Sequence, residues 1–260
     1  GSRRGRVDIS KGRGAIAPVA FENAPGGEGS NHAIDPGNPN IVYTHGFYGN
    51  FSRTDLAATA PPEAGGRGRG GRGGTSTPIQ PKDPDEELRA QWMAPIIVSP
   101  HDGSIIFAGF QSVFRSENRG DSWQKISTDL TDNNKTQMGE NPTAIPYQTI
   151  VSLAESPKRK GLLYVGSDDG RLHVTLDTGK EWTELTSKLP VRRWISRVVP
   201  SEHAEGTVYI TQRGREDDDF GVYIYKSTDH GRTIRSISGN IPAGPVNVIR
   251  EDPRDVNVLY

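Results

Sequence analysis

Ser116-Glu117-Asn118-Arg119-Gly120-Asp121-Ser122-Trp123 comes back twice, and the recurrence settles the architecture. Thr175-Leu176-Asp177-Thr178-Gly179-Lys180-Glu181-Trp182 and Ser227-Thr228-Asp229-His230-Gly231-Arg232-Thr233-Ile234 repeat its layout at intervals of about 50 to 60 residues. Each copy joins two apolar runs through a hydroxyl residue, an Asn or Asp two positions on and a Gly four positions on. The Gly supplies the positive φ of a tight hairpin, and the Asp carboxylate accepts converging backbone N–H groups. Ser or Thr bonds back across the turn, and Trp packs its ring into the interior. A hairpin recurring at this period implies repeated four-stranded antiparallel sheets, an all-β chain arranged as a β-propeller.

A second repeat interleaves with the first. Pro36 precedes Tyr43, Pro100 precedes Phe107, Pro157 precedes Tyr164, Pro200 precedes Tyr209 and Pro253 precedes Tyr260. Pro lacks the N–H that a ladder needs, so it ends a blade's first strand and starts the bend to the second. The aromatic then faces the layer between neighbouring blades. Together the repeats predict strands at 31–35, 41–45 and 50–55 in blade one, and at 94–99, 105–109, 112–116 and 123–127 in blade two. Blade three takes 149–155, 162–167, 172–175 and 182–185; blade four takes 195–199, 207–211, 222–227 and 233–236. Blade five opens at 246–251 and is in its second strand at Tyr260. That is about four full blades plus a partial fifth, read as a piece of a larger propeller, because the end sheets of an open ring stay half-exposed. Alternatively, 6–10 and 15–21 add outer strands to blade five and close a small ring. The helical signal is one short turn at 85–92.

Bulk properties exclude several classes. The chain has 260 residues, 31 Gly and 19 Pro, with 32% hydrophobic residues, which suits many short strands and tight turns. A net charge of −1 asks for neither nucleic acid nor an acidic membrane. Without cysteine there are no disulfides and no thiolate-bound metals, and no apolar run reaches membrane-spanning length. The start, Gly1-Ser2-Arg3-Arg4-Gly5-Arg6, has no apolar core behind it, so an export signal would lie upstream. Residues 1–23 form an unassigned N-terminal segment, 24–260 the blades, and 57–91 a Gly/Arg-rich insertion. The tract at 65–74 carries three Arg and no aromatic; it reads as a flexible insertion, not an RNA-binding element.

Recurring once per blade, and directed away from the central axis, the turn residues read as scaffold: Ser116, Asn118, Gly120, Trp123, Thr175, Asp177, Gly179, Trp182, Ser227, Asp229 and Gly231. Asn118 in place of Asp and Ile234 in place of Trp fit a scaffold that tolerates drift. Loops between second and third strands share the face on which propellers bind ligands. There Arg213-Gly214-Arg215-Glu216-Asp217-Asp218-Asp219 is the richest cluster. Its acids suit Ca²⁺ or catalysis, and the bland alternative, a loop paired internally by Arg213 and Arg215, is favoured. Asp168 and Asp169 occupy the matching loop of blade three and are explained by a turn before Gly170. Phe47, Tyr48 and Phe110, with Trp194, make a candidate aromatic platform for sugar rings or a peptide. His32 and Glu28 are candidates for the channel wall. No metal or cofactor is assigned.

The repeated turns resemble the Asp-box of bacterial neuraminidase repeats, found in sialidases, xyloglucan-cleaving enzymes and the propeller of sortilin-type receptors. Gly26-Gly27-Glu28-Gly29-Ser30 leading into Ile34-Asp35-Pro36 resembles a group of large bacterial proteins described as sortilin-like or glycosyl-hydrolase-like. So do Leu153-Ala154-Glu155-Ser156-Pro157, Gly166-Ser167-Asp168-Asp169-Gly170 and Val248-Ile249-Arg250-Glu251-Asp252-Pro253. The resemblance covers 24–260 outside the insertion and implies an exported protein, extracellular or periplasmic, with further blades. It carries over no defined activity. The Arg-Ile-Pro segment of sialidases is missing, so that chemistry does not transfer. Xyloglucan-cleaving relatives need two carboxylates across a cleft. Among 32 acids the sequence names only Asp217, Asp219 and Asp169 as catalytic candidates. The expected ligand-binding face is Tyr48, Phe110, Asp168, Asp169, Trp194, Arg213 and Arg215. The leading expectation is an exported module binding a polypeptide or glycan; a glycoside hydrolase and a purely structural scaffold are the alternatives.

Overall fold

A computed structural model describes residues 3–4, 22–23, 31–58, 75–138 and 146–260. Strand β1 (Arg3–Arg4) pairs antiparallel with β2 (Glu22–Asn23). The alternative strands at 6–10 and 15–21, Glu28 and the 65–74 tract lie outside the described residues. Four antiparallel four-stranded sheets follow, each with its strands in sequence order. Blade one holds β3 (His32–Ile34), β4 (Ile41–His45), β5 (Phe51–Asp55) and β6 (Thr75–Pro78). Blade two holds β7 (Ile96–Val98), β8 (Ile106–Gly109), β9 (Val113–Ser116) and β10 (Gln124–Lys125). Blade three holds β11 (Ile150–Glu155), β12 (Leu163–Ser167), β13 (Leu172–Thr175) and β14 (Thr183–Glu184). Blade four holds β15 (Trp194–Pro200), β16 (Val208–Gly214), β17 (Asp219–Ser227) and β18 (Arg235–Ser236). Beyond it Glu251 and Leu259 form an antiparallel bridge, flanked by reciprocal backbone bonds between Arg250 and Tyr260 at 2.9 and 2.8 Å.

Two sequence expectations need adjusting. Thr75–Pro78, inside the span read as an insertion, pairs with β5 as the fourth strand of blade one. The helical turn expected at 85–92 does not form; the single turn of α-helix among the described residues is α1, Lys135–Met138. At 85–92 the Gln111 side chain takes over the backbone instead. Its Oε1 accepts from the Arg89 amide at 2.8 Å and its Nε2 donates to the Glu87 carbonyl at 3.0 Å, groups a helix would pair internally.

The aromatics of the Pro-linked repeat organise the interior. Tyr43, Phe107, Tyr164 and Tyr209 are fully buried, each in a separate apolar cluster that joins one blade to the next. Burying each ring contributes on the order of 2 kcal/mol, so the interfaces between blades, rather than any one sheet, hold the molecule together. Polar clamps reinforce them. His101 Nε2 lies 2.8 Å from the Ser156 carbonyl, and His203 Nε2 lies 2.8 Å from the Asp252 carbonyl. The buried Glu251 carboxylate accepts from Tyr209 (3.0 Å), Ser201 (2.8 Å) and the Glu202 amide (2.8 Å).

The repeated turns close as their chemistry requires. Thr175 Oγ1 donates to Asp177 Oδ1 at 2.8 Å and accepts from the Gly179 amide at 2.9 Å; Asp177 in turn accepts from the Glu181 amide at 3.1 Å. Ser227 and Asp229 repeat this, as do Ser116 and Asn118. Gly179 has φ +87°, and the residue before it, Thr178, also lies at positive φ (65°). Each Trp bonds one blade back, Trp123 Nε1 to the Ile79 carbonyl at 2.6 Å and Trp182 Nε1 to the Ile126 carbonyl at 2.8 Å. Ile234 cannot do this for Leu185, whose carbonyl instead accepts from the Lys188 amide at 2.9 Å, inside a 3₁₀ turn at Thr186–Lys188.

Candidate functional site

The first strands β3, β7, β11 and β15 are neighbours around a common axis and, with 247–250, wall a cavity of about 1150 Å³. His32, Ile97, Val151 and Arg197 come from these strands and Arg250 from the segment after blade four, with Trp92, Trp194 and Arg213 also in the wall. Register shifts between Ile150 and Ser152, and between Ile195 and Arg197, place a bulge in each of two adjacent inner strands. Bulges re-aim side chains and break regular pairing, which is why they collect at binding sites.

The loop face beside the cavity mouth carries three aromatic rings. Phe47 and Trp92 have centroids 4.1 Å apart, and Tyr48 meets Trp92 edge-on at 5.4 Å. Tyr48 is held at φ 55°, ψ 44°, a left-handed conformation that a bulky residue rarely adopts. Phe110, expected on this platform, is fully buried. It packs edge-to-face on Phe51 and Phe114, and its ring fills the space where a Cβ on Gly49 would sit. Trp92, which the sequence placed only at the end of a helical turn, stands there instead. The connector from blade one carries it across blade two to blade three, where Gln91 Nε2 donates to Asp168 Oδ2 at 3.1 Å and to the Pro146 carbonyl at 3.3 Å. Trp194 opens β15 and lines the cavity, with the Arg213 guanidinium 4.1 Å from its ring centroid.

The candidate acids are all engaged. Asp168 is buried and accepts from the Thr149 amide (2.8 Å) and hydroxyl (2.7 Å) as well as from Gln91. Burial pushes its carboxyl up to about 6 against these hydrogen bonds, with the Asp169 charge adding to the rise. Asp169, also buried, accepts from the Ser167 hydroxyl and from the Asp132 amide at 2.7 Å. Burial, and then the charges of Asp168 and Asp169, raise the nearby Tyr147 phenol. In blade four Asp219 accepts from Tyr223 (2.7 Å), Gly221 (2.9 Å) and Arg193 (2.9 Å), which hold its carboxyl below the usual range. Arg193 also lies 3.7 Å from Asp217. Arg213 and Arg215 both pair with Glu216, each at 3.0 Å. The internally paired loop is thus observed, with Arg193 as a partner that sequence adjacency did not suggest. No group of three His, Cys, Asp or Glu suited to a metal occurs among the described residues, and no helix there is long and apolar enough to cross a membrane.

No protein-family model matches the chain, and no curated protein matches it. Solved structures do. The chain is similar to a GH74 enzyme of Niastella koreensis at 18% identity and a TM-score of 0.57, covering 88% of this chain and 32% of that one. A GH74 xyloglucanase of Xanthomonas campestris matches at 18% identity and a TM-score of 0.56, with 88% and 34% covered. An ancestral GH74 enzyme matches at 16% identity and a TM-score of 0.50, with 81% and 24% covered. The chain therefore spans about a third or less of these three structures. At such identities the match speaks for fold alone. Four antiparallel four-stranded sheets set round a shared axis, matched to these structures, make the chain a run of β-propeller blades.

Proposed function

We propose that this chain is an exported propeller module that binds a glycan, its ligand lying on the loop-face aromatics and reaching into the cavity. In this reading the turns are Asp-box repeats of the bacterial sortilin-like, glycosyl-hydrolase-like group. The module acts outside the cytoplasm, on a longer chain with further blades. The carrying observation is the cluster of Phe47, Tyr48 and Trp92 beside the cavity mouth, with Tyr48 held in a left-handed conformation outside the repeated turns, where no scaffold motif calls for it. Aromatic faces serve sugar rings and extended peptides alike, so a polypeptide ligand is the second occupant to test.

A glycoside hydrolase is the alternative, favoured by one observation, the Asp168 carboxyl raised to about 6, as a general acid requires. Its burial under three donors argues for structural duty instead. Glycan and peptide arrays, run alongside a reducing-sugar assay, separate these readings. Retention of a glycan without release of reducing ends supports the module. Turnover abolished by Asp168→Asn or Asp217→Ala supports the hydrolase, and no retention of any ligand leaves a structural scaffold.

A further inference from the structure

Four arginines and one glutamate line the cavity of a chain whose overall charge is −1. The glutamate is already shared, since Glu216 Oε1 accepts from both Arg213 and Arg215 at 3.0 Å. Arg197 and Arg250 therefore face the cavity without a carboxylate partner among the described residues. Arg197 is half-buried and its Nε has no protein acceptor, while the exposed Arg250 donates from Nη1 to the neighbouring Ile249 carbonyl at 3.1 Å. Burial, and then the Arg250 charge, hold the Arg197 guanidinium below its usual range. A partly desolvated guanidinium beside a second like charge is costly unless an anion joins them.

We propose that the cavity is a subsite for a uronate residue of an acidic glycan, whose carboxylate bridges Arg197 and Arg250 while its ring packs by Trp92 and Trp194. Guanidinium groups suit a carboxylate because their planar N–H forks match its two oxygens. The sugar's hydroxyls meet Asn31 and Asn247 on the same wall. An acidic peptide fits less well. An extended peptide draws its affinity from a regular strand edge, and both the strand that carries Arg197 and its inner neighbour are bulged, at 195–197 and 150–152. This inference rests on the glycan reading above and adds the charge of the ligand.

The test is calorimetric titration of the chain with an oligogalacturonide, with its methyl ester and with hexaglutamate. The acid form should bind at least about tenfold more tightly than the ester, as one charge-assisted contact to Arg implies. Arg250→Gln, at an exposed position that folding tolerates, should remove that advantage, and Arg250→Glu should reverse it. Arg159→Gln, paired with Glu205 away from the cavity, should change nothing. Equal binding of acid and ester overturns the inference and leaves the binding module standing. Tighter binding of hexaglutamate overturns it in favour of a peptide site. If all three fail to bind while neutral glycans are retained on the array, this proposal alone falls; if the array is empty as well, both fall.

Discussion

The indole N–H of Trp182 reaches the backbone carbonyl of Ile126 at 2.8 Å, so blade three hangs on the outer strand of blade two. Trp123 ties blade two to Ile79 in the same way. Trp182→Phe keeps the ring and loses the donor, and should lower stability by about 1 kcal/mol in urea unfolding. Ile234→Trp should gain no such bond, because the Leu185 carbonyl is turned into the 3₁₀ turn at Thr186–Lys188, where Lys188 donates to it. A stabilised Ile234→Trp variant would contradict that account.

Gly179 and Gly231 share nearly the same φ, +87° and +89°, but face different neighbours. A Cβ at Gly179 would stand 2.4 Å from the Ile126 carbonyl oxygen, which is fixed backbone. At Gly231 it would stand 2.2 Å from Leu185 Cδ1, the end of a side chain that can turn away. Both Ala variants carry left-handed strain on the order of 1–3 kcal/mol. Gly179→Ala should be clearly the less stable of the two by thermal melting.

Glu251 gathers three donors at the last interface between blades. Glu251→Ala leaves the Tyr209 and Ser201 hydroxyls buried without their acceptor and should cost about 2 to 4 kcal/mol. Hydrogen exchange should then rise first in 246–260, with blades one to three still protected.

Two carboxyls give opposite pH dependences. Asp168, raised from 3.8 to about 6, holds its proton more tightly folded than unfolded. Its contribution to stability is fullest below about pH 4 and declines as pH rises through 6. Asp229, lowered from 3.8 to about 2 first by the Thr233 amide, contributes above about pH 4 and loses that as pH falls through 2. Melting temperatures followed from pH 2 to 7.5 should flatten on the neutral side in Asp168→Asn and on the acid side in Asp229→Asn.

Tyr48→Gly relieves the left-handed strain and removes the ring. Stability should rise by about 1 kcal/mol while glycan retention falls. Unchanged retention would remove Tyr48 from the binding face.

The turns were legible because their chemistry is local: a hydroxyl, a carboxylate and a Gly within five residues specify the bend without help from the rest of the chain. The Pro-linked aromatics were legible because burial imposes a spacing. Strand β6 was hidden for the opposite reason. Thr75, Ser76, Thr77 and Pro78 are all exposed, so no apolar alternation marks a strand held by backbone pairing alone. The site was less readable than the fold. Whether Phe110 or Trp92 reaches the surface depends on the connector that Gln91 pins to blade three. Likewise, Arg193 meets Asp219 only after two strands have folded back.

The outermost strands are short, two residues in β10, β14 and β18 and four in β6, and every residue in them is exposed. So brief a rim offers a passing chain almost no ladder to extend, which protects the perimeter from stacking into fibrils.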